Sequence, residues 1–132
     1  MKIAIITGAS SGLGVEFFKG LQGEALDEIW IIARREAKLN EIASLHGKIK
    51  TRAIPLDITT RESMSYFSEL LKSETPDIRF LINNAGVLPR FDRLVNYTKE
   101  EIDESINIDF YSAAYSSKIM LPLLMKSETP AI

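Results

Sequence analysis

The run Thr7-Gly8-Ala9-Ser10-Ser11-Gly12-Leu13-Gly14 stands directly after the apolar stretch Lys2-Ile3-Ala4-Ile5-Ile6. An apolar, β-branched run of this length reads as a buried strand, and here it ends in a glycine turn that opens a helix. Each glycine has its own reason to be there. Gly8 lets the chain turn with φ > 0, Gly12 lets backbone N–H groups come close to a pyrophosphate, and Gly14 lets the helix pack near the strand. The first turn of the helix adds unpaired N–H donors and the positive end of its dipole. Glycines also make plain turns, so it is the strand before and the helix after that make this run a phosphate cradle. Thr7, Ser10, Ser11 and Leu13 join Gly8, Gly12 and Gly14 as its candidate contacts.

Strand signals recur at Lys2 to Thr7, Glu28 to Ala33, Lys50 to Leu56 and Asp77 to Asn83, separated by segments with helical spacing. That alternation predicts an α/β fold, a Rossmann-type doubly wound parallel sheet with order 3-2-1-4 if its connections are right-handed. The first helix is expected from about Gly12 to Leu21, with Val15, Phe18 and Leu21 on one face. The second begins near Glu36 and carries Leu39, Ile42 and Leu45. Thr59-x-x-Glu62 reads as a capping box for a third that buries Met64, Phe67, Leu70 and Leu71. A second box, Thr98-x-x-Glu101, opens a fourth helix that is expected to run unbroken through Leu123. Between Gly86 and Thr98 lies a loop with Pro89, Arg90 and Arg93, and lone His46 reads as a helix C-terminal cap.

Lys72-Ser73-Glu74-Thr75-Pro76 leads from a helix into the strand at Asp77, and Lys126-Ser127-Glu128-Thr129-Pro130 repeats it. A fifth strand is therefore expected from Ala131, so the sheet is read as truncated after about four strands within one domain, residues 1–132. An open fourth-strand edge and apolar Ile106, Phe110, Ala114, Met120 and Leu121 on the last helix predict a homo-oligomer.

The spacing Thr-Gly-x-x-x-Gly-x-Gly, with Asn83-Asn84-Ala85-Gly86 after a fourth strand, Asp57 at the end of the third and Leu121-Pro122 near the end of a long helix, resembles the short-chain dehydrogenase/reductase family over the whole chain. The resemblance implies oxidoreductase activity on a carbonyl/alcohol pair with a dinucleotide cofactor. It implies that Asp57, helped by the neighbouring backbone of Ile58, contacts adenine. Asn84, Ala85 and Gly86 then line the cofactor while Asn83 ties strands together. The family's catalytic Asn falls, by its usual spacing to the Pro, on Asp109. Asn107 is two residues too early and would need an irregular turn to take that place. The family's Ser and Tyr-x-x-x-Lys come after the Leu-Pro, and these 132 residues do not contain them. Tyr111 or Tyr115 with Lys118 has neither the spacing nor the place, and reads as helix packing or an oligomer face. The chain by itself is expected to be inactive, and the rival reading is a non-catalytic nucleotide-binding or association module, or a truncated product of a longer reductase.

Cofactor choice is read about 20 residues after the glycine turn, at Ala33-Arg34-Arg35. An acidic residue there would accept from a free ribose 2′-hydroxyl and repel a 2′-phosphate. Two guanidinium groups point instead to NADP(H) over NAD(H), with Arg34 the principal contact and Arg35 beside it. The plainer alternative is two solvated arginines at a helix start. A net charge of −2, spread evenly, argues against nucleic acid and anionic membranes. The absence of Cys excludes disulfides and thiolate metal sites, and no metal-ligand spacing is present elsewhere. No apolar run is long enough to span a bilayer, and the cytoplasm is the expected compartment.

Overall fold

A computed structural model describes residues 1–45, 47–87 and 90–132; His46 and Pro89 lie outside the described residues. Four strands, β1 (Lys2–Thr7), β2 (Glu28–Ala33), β3 (Lys50–Pro55) and β4 (Asp77–Asn83), form one parallel sheet in the order β3-β2-β1-β4. This is the Rossmann-type half sheet that the strand and helix spacing predicts. β1 is central, and Ile3, Ala4, Ile5 and Ile6 are all fully buried. Burial on both faces is why this strand is an unbroken apolar run instead of an alternating one.

Helices α1 (Leu13–Gly20) and α2 (Glu36–Ala43) cover one face, over Ala4, Ile6, Ile29 and Ile31, to which they add Phe18, Leu39 and Ile42. The other face, with Ile3, Ile5, Trp30 and Ile54, receives Met64, Phe67 and Leu71 of α3 (Arg61–Glu74) and Met120 and Leu124 of α5 (Ser112–Leu124). Several details differ from the sequence expectation. Gly12 is the cap before α1, and Leu21 falls in a following 3-10 turn, still buried. Leu45 is exposed, because α2 ends at Ala43. Thr60, not Thr59, caps α3 by accepting from Ser63 N, since Thr59 is already held by Asp57. The box at Thr98 forms as read: Thr98 accepts from Glu101 N and Glu101 from Thr98 N.

The expected unbroken last helix is interrupted. α4 (Lys99–Ser105) passes into a π-helical turn, Ile106–Tyr111, before α5 begins. Met120, expected on an open apolar face, is fully buried, whereas Ile106, Phe110, Ala114 and Leu121 are exposed. At the other end of the chain Ala131 makes a parallel bridge to Phe80: Ala131 N donates to Arg79 O at 3.0 Å and Leu81 N to Ala131 O at 2.9 Å. Arg79 is the extra residue of a β4 bulge, and its guanidinium bonds Asp77 and Thr129 and lies 3.6 Å from Glu128. The second copy of the Lys-Ser-Glu-Thr-Pro segment is thereby clasped against the sheet edge.

Opposite the glycine turn, a polar staple joins β2, β3 and α3. Glu28 accepts from the buried Trp30 Nε1 at 2.9 Å and from Lys50 Nζ at 2.5 Å. Arg52 lies 4.8 Å over the Trp30 ring and pairs with Glu74 at 2.7 Å. Burial pushes the Glu28 carboxyl up, but bonds from Lys50 and Trp30 and the charges of Lys50 and Arg52 outweigh it and hold it below its usual 4.5. Stability from this carboxylate is therefore present above that value and lost as pH falls below it. Glu28→Gln is expected to cost about 1–2 kcal/mol at pH 7, since Lys50 is exposed and re-solvates while Trp30 keeps an acceptor. Urea unfolding at pH 7 and at pH 3 checks this: the gap between parent and variant should shrink at the lower pH.

Candidate functional site

The carboxyl ends of all four strands meet around a cavity of about 360 Å³. Such a crevice, where strand order reverses between β1 and β4, is where doubly wound sheets bind ligands. Its floor begins at the glycine turn. Gly8 has φ +66° and Gly12 φ +56°, and a Cβ on Gly8 would stand 2.6 Å from Ala85 Cα. A Cβ on Gly14 would stand 2.5 Å from Gly8 O and 2.8 Å from Asn84 Nδ2. Gly8 and Gly14 therefore let the β1 turn, α1 and the β4 turn touch backbone to backbone.

Thr7 locks that contact from beneath. It is 2 % exposed; its hydroxyl donates to Ile82 O and accepts from Asn84 N and Ala85 N, both at 3.2 Å. Asn84 Nδ2 donates to Gly8 O at 3.0 Å. Of the residues read as cradle contacts, Gly8, Ser10, Ser11 and Leu13 line the cavity, while Thr7 and Gly14 act behind it. Gly12 has nothing within 4 Å of where a Cβ would stand, so its positive φ, not crowding, is what calls for glycine. Asn83, read as tying strands, donates to Ser117 Oγ at 3.0 Å and so ties β4 to α5; Asn84 makes the tie to the glycine turn.

Arg34 and Arg35 both line the cavity where β2 ends. Arg35 Nη2 donates to Ser10 Oγ at 3.1 Å, across the mouth from β2 to the glycine turn. Asp57 lines the wall as well, and it is also the turn residue of the plainer reading: its Oδ1 accepts from Thr59 N at 2.9 Å and Thr59 Oγ1 at 2.6 Å. Ile58 lines the cavity beside it, and Ala85 and Gly86 line the β4 side. Sequence reasoning missed Leu56, Thr59, Val87 and Ile108, which also face it. The first three adjoin residues already singled out at strand ends. Ile108 is brought there by the π turn, an irregularity that the spacing of Asn107 to Pro122 raises only as one of two alternatives.

That turn separates the two candidates for the helical position. Asp109 Oδ1 accepts from Val87 N at 2.8 Å and would lie 3.2 Å from a Cβ on Gly86. Asn107 instead lines a second groove with Tyr111 and Tyr115, between α3 and the π turn. The irregular turn is present, yet the residue that bonds the cavity wall, through Val87 N, is Asp109. In the segment before α4, Arg90 bonds Asp92, Glu101 and Asn96 O. A bond from Asn96, the Arg93 N–H and the Arg90 bond hold Asp92 below the usual carboxylate range; the Thr98 N–H and Arg90 do the same for Glu101.

These features suit a dinucleotide phosphate. The first turn of α1 has no side-chain cap, the space beside Gly12 is open, and two guanidinium groups and two hydroxyls converge on the mouth. Among the described residues no helix is long and apolar enough to cross a membrane.

Comparison with known proteins agrees with this architecture. The uncharacterised oxidoreductase DltE of Bacillus subtilis is 31% identical over 129 residues, which cover 97% of this chain and 50% of that protein. An uncharacterised oxidoreductase of Staphylococcus aureus is 25% identical over 128 residues, covering 97% and 54%. The chain thus spans about half the length of the curated relatives it matches. Among solved structures, an alcohol dehydrogenase of the archaeon Thermococcus sibiricus, complexed with 5-hydroxy-NADP, superposes with a TM-score of 0.85 at 28% identity, covering 98% of this chain and 55% of that one. The model of the short chain dehydrogenase family matches residues 2–132. The chain belongs to the short chain dehydrogenase family.

Proposed function

We propose that residues 1–132 form the cofactor-binding half of an NADP(H)-dependent oxidoreductase acting on a carbonyl/alcohol pair. The observation that carries this reading is the cavity mouth, where Arg34 and Arg35 stand at the end of β2 in place of an acidic residue, and Arg35 reaches Ser10 on the glycine turn. A guanidinium pair there neutralises a ribose 2′-phosphate by charge-assisted bonds. Ser10, Ser11 and the first N–H groups of α1 would hold the pyrophosphate, Asp57 and Ile58 the adenine, and Ala85 and Gly86 the far ribose. When bound, the dinucleotide supplies or accepts a hydride. The T. sibiricus relative, crystallised with an NADP derivative, supports the choice of cofactor.

Asp109 is assigned as a positioning residue, since it fixes the Gly86–Val87 turn through Val87 N. No Tyr or Lys lines the cavity among the described residues, which favours the second reading, a nucleotide-binding module without turnover of its own. Hydride transfer to a carbonyl needs an acid beside the oxygen. The 132-residue polypeptide is accordingly expected to oxidise NADPH no faster than buffer with a panel of ketones and aldehydes. Turnover in a sample shown by mass spectrometry to be free of other reductases would contradict this.

Calorimetry should give tighter binding of NADP(H) than of NAD(H). Arg34→Asp is expected to abolish or reverse that order, at a cost of about 1.5–3 kcal/mol for the lost phosphate contact. Equal affinity for both cofactors in the parent chain would remove the case for the arginines. The exposed row Ile106, Phe110, Ala114 and Leu121 supports homo-oligomerisation through the last helix. Phe110→Glu should shift the light-scattering mass toward monomer; a parent chain that is monomeric at all accessible concentrations would refute it.

A further inference from the structure

The cavity is charge-separated. Arg34 and Arg35 stand at its β2 end, and the Asp109 carboxylate stands against the turn that forms its β4 end. Asp109 accepts from Val87 N and lies against Gly86, and both of those residues line the cavity, so its charge is one residue removed from that space. An amide at this place would make the same bond to Val87 N through its oxygen and bring no charge. Arg90, on the segment that precedes α4, is already shared between Asp92 and Glu101.

From this juxtaposition we infer that Asp109 makes the site favour the oxidised, cationic form of a nicotinamide dinucleotide over the reduced, neutral form. The inference rests on the cofactor reading above. A dinucleotide lies across the point where strand order reverses, with its pyrophosphate on the first turn and its adenosine ribose at the end of β2. The nicotinamide half then lies on the β4 side, next to the turn that Asp109 backs. The oxidised ring carries a positive charge that the reduced ring lacks, and a carboxylate within a screening length attracts only the former. Asp57, the other carboxylate of the lining, is at the end of β3 and bonded to Thr59, on the adenosine side. Its charge acts on both forms alike.

The test titrates the 132-residue chain with NADP+ and with NADPH by calorimetry, for the parent and for Asp109→Asn. The parent should bind NADP+ with the better Kd relative to NADPH, and Asp109→Asn should shrink that ratio about threefold or more at low salt. In the parent the same ratio should also shrink as salt is raised toward 1 M, because Asp109 is exposed. A ratio unchanged by the substitution, with both forms still binding, overturns the inference and leaves the cofactor reading standing. Failure of the parent to bind either form overturns both. Should Asp109→Asn not fold, as judged by circular dichroism, the salt titration of the parent decides, and a salt-insensitive ratio overturns the inference.

Discussion

Everything around the cavity depends on one backbone contact, the approach of the β1 turn to the β4 turn. Two strands joined only by ladder bonds would keep their side chains between the turns. Here Gly8 and Gly14 remove them, and Thr7 places one buried hydroxyl between Ile82 O and the N–H groups of Asn84 and Ala85. Asn84 completes the lock by donating to Gly8 O. The consequence is that the glycine turn and the Ala85–Gly86 turn become one continuous surface. A phosphate cradle on the first turn is then fixed relative to whatever the second turn holds. Flexibility at this point would forfeit the orientation on which binding across a crevice depends.

The features legible in the sequence are those fixed by local period and local chemistry. The four strands could be read because their apolar runs are short and bounded, and the order β3-β2-β1-β4 followed from right-handed crossovers. The cradle could be read because its glycines sit between a strand and a helix. What could not be read depended on contacts distant in sequence. Thr7 looks like a ligand contact in the motif, but its hydroxyl is spent on residues about 75 positions away. Thr59 satisfies the capping-box pattern, yet Asp57 takes its hydroxyl first and moves the cap to Thr60. Both positions offered two plausible bonds, and tertiary structure chose between them.

The π turn illustrates the same limit on a larger scale. Apolar spacing from Thr98 to Leu123 is compatible with one straight helix, and only the place of Asn107 relative to Pro122 hints at an irregular turn, without fixing where it falls. The inserted turn changes which residues face the sheet: Ile108 reaches the cavity, Ser112, Ser116, Met120 and Leu124 follow at steps of four along the buried side of α5, and Phe110 and Leu121 are turned outward. π-helical insertions occur often at functional sites because they re-aim a side chain without ending the helix. Here the side chain re-aimed is Asp109, and the bond it makes to Val87 N stiffens the wall of the cavity.

The edge beyond β4 shows how the repeated Lys-Ser-Glu-Thr-Pro segment works physically. In its first copy Thr75 takes a left-handed φ of 42° at the end of α3, which reverses the chain so that Asp77 can enter the sheet beside β1. In the second copy Thr129 and Glu128 are instead gripped by the bulged Arg79, and Ala131 enters beside β4. The bulge matters because it adds one residue between Ile78 and Phe80, turning Arg79 outward from β1 toward the returning chain. Ser127, packed against Asp77, is the largest influence holding that carboxyl below its usual range, with Arg79 adding to it. A charged cluster of Asp77, Arg79 and Glu128 therefore guides the chain onto the open edge, in parallel with β4, and blunts that edge against pairing with a stranger.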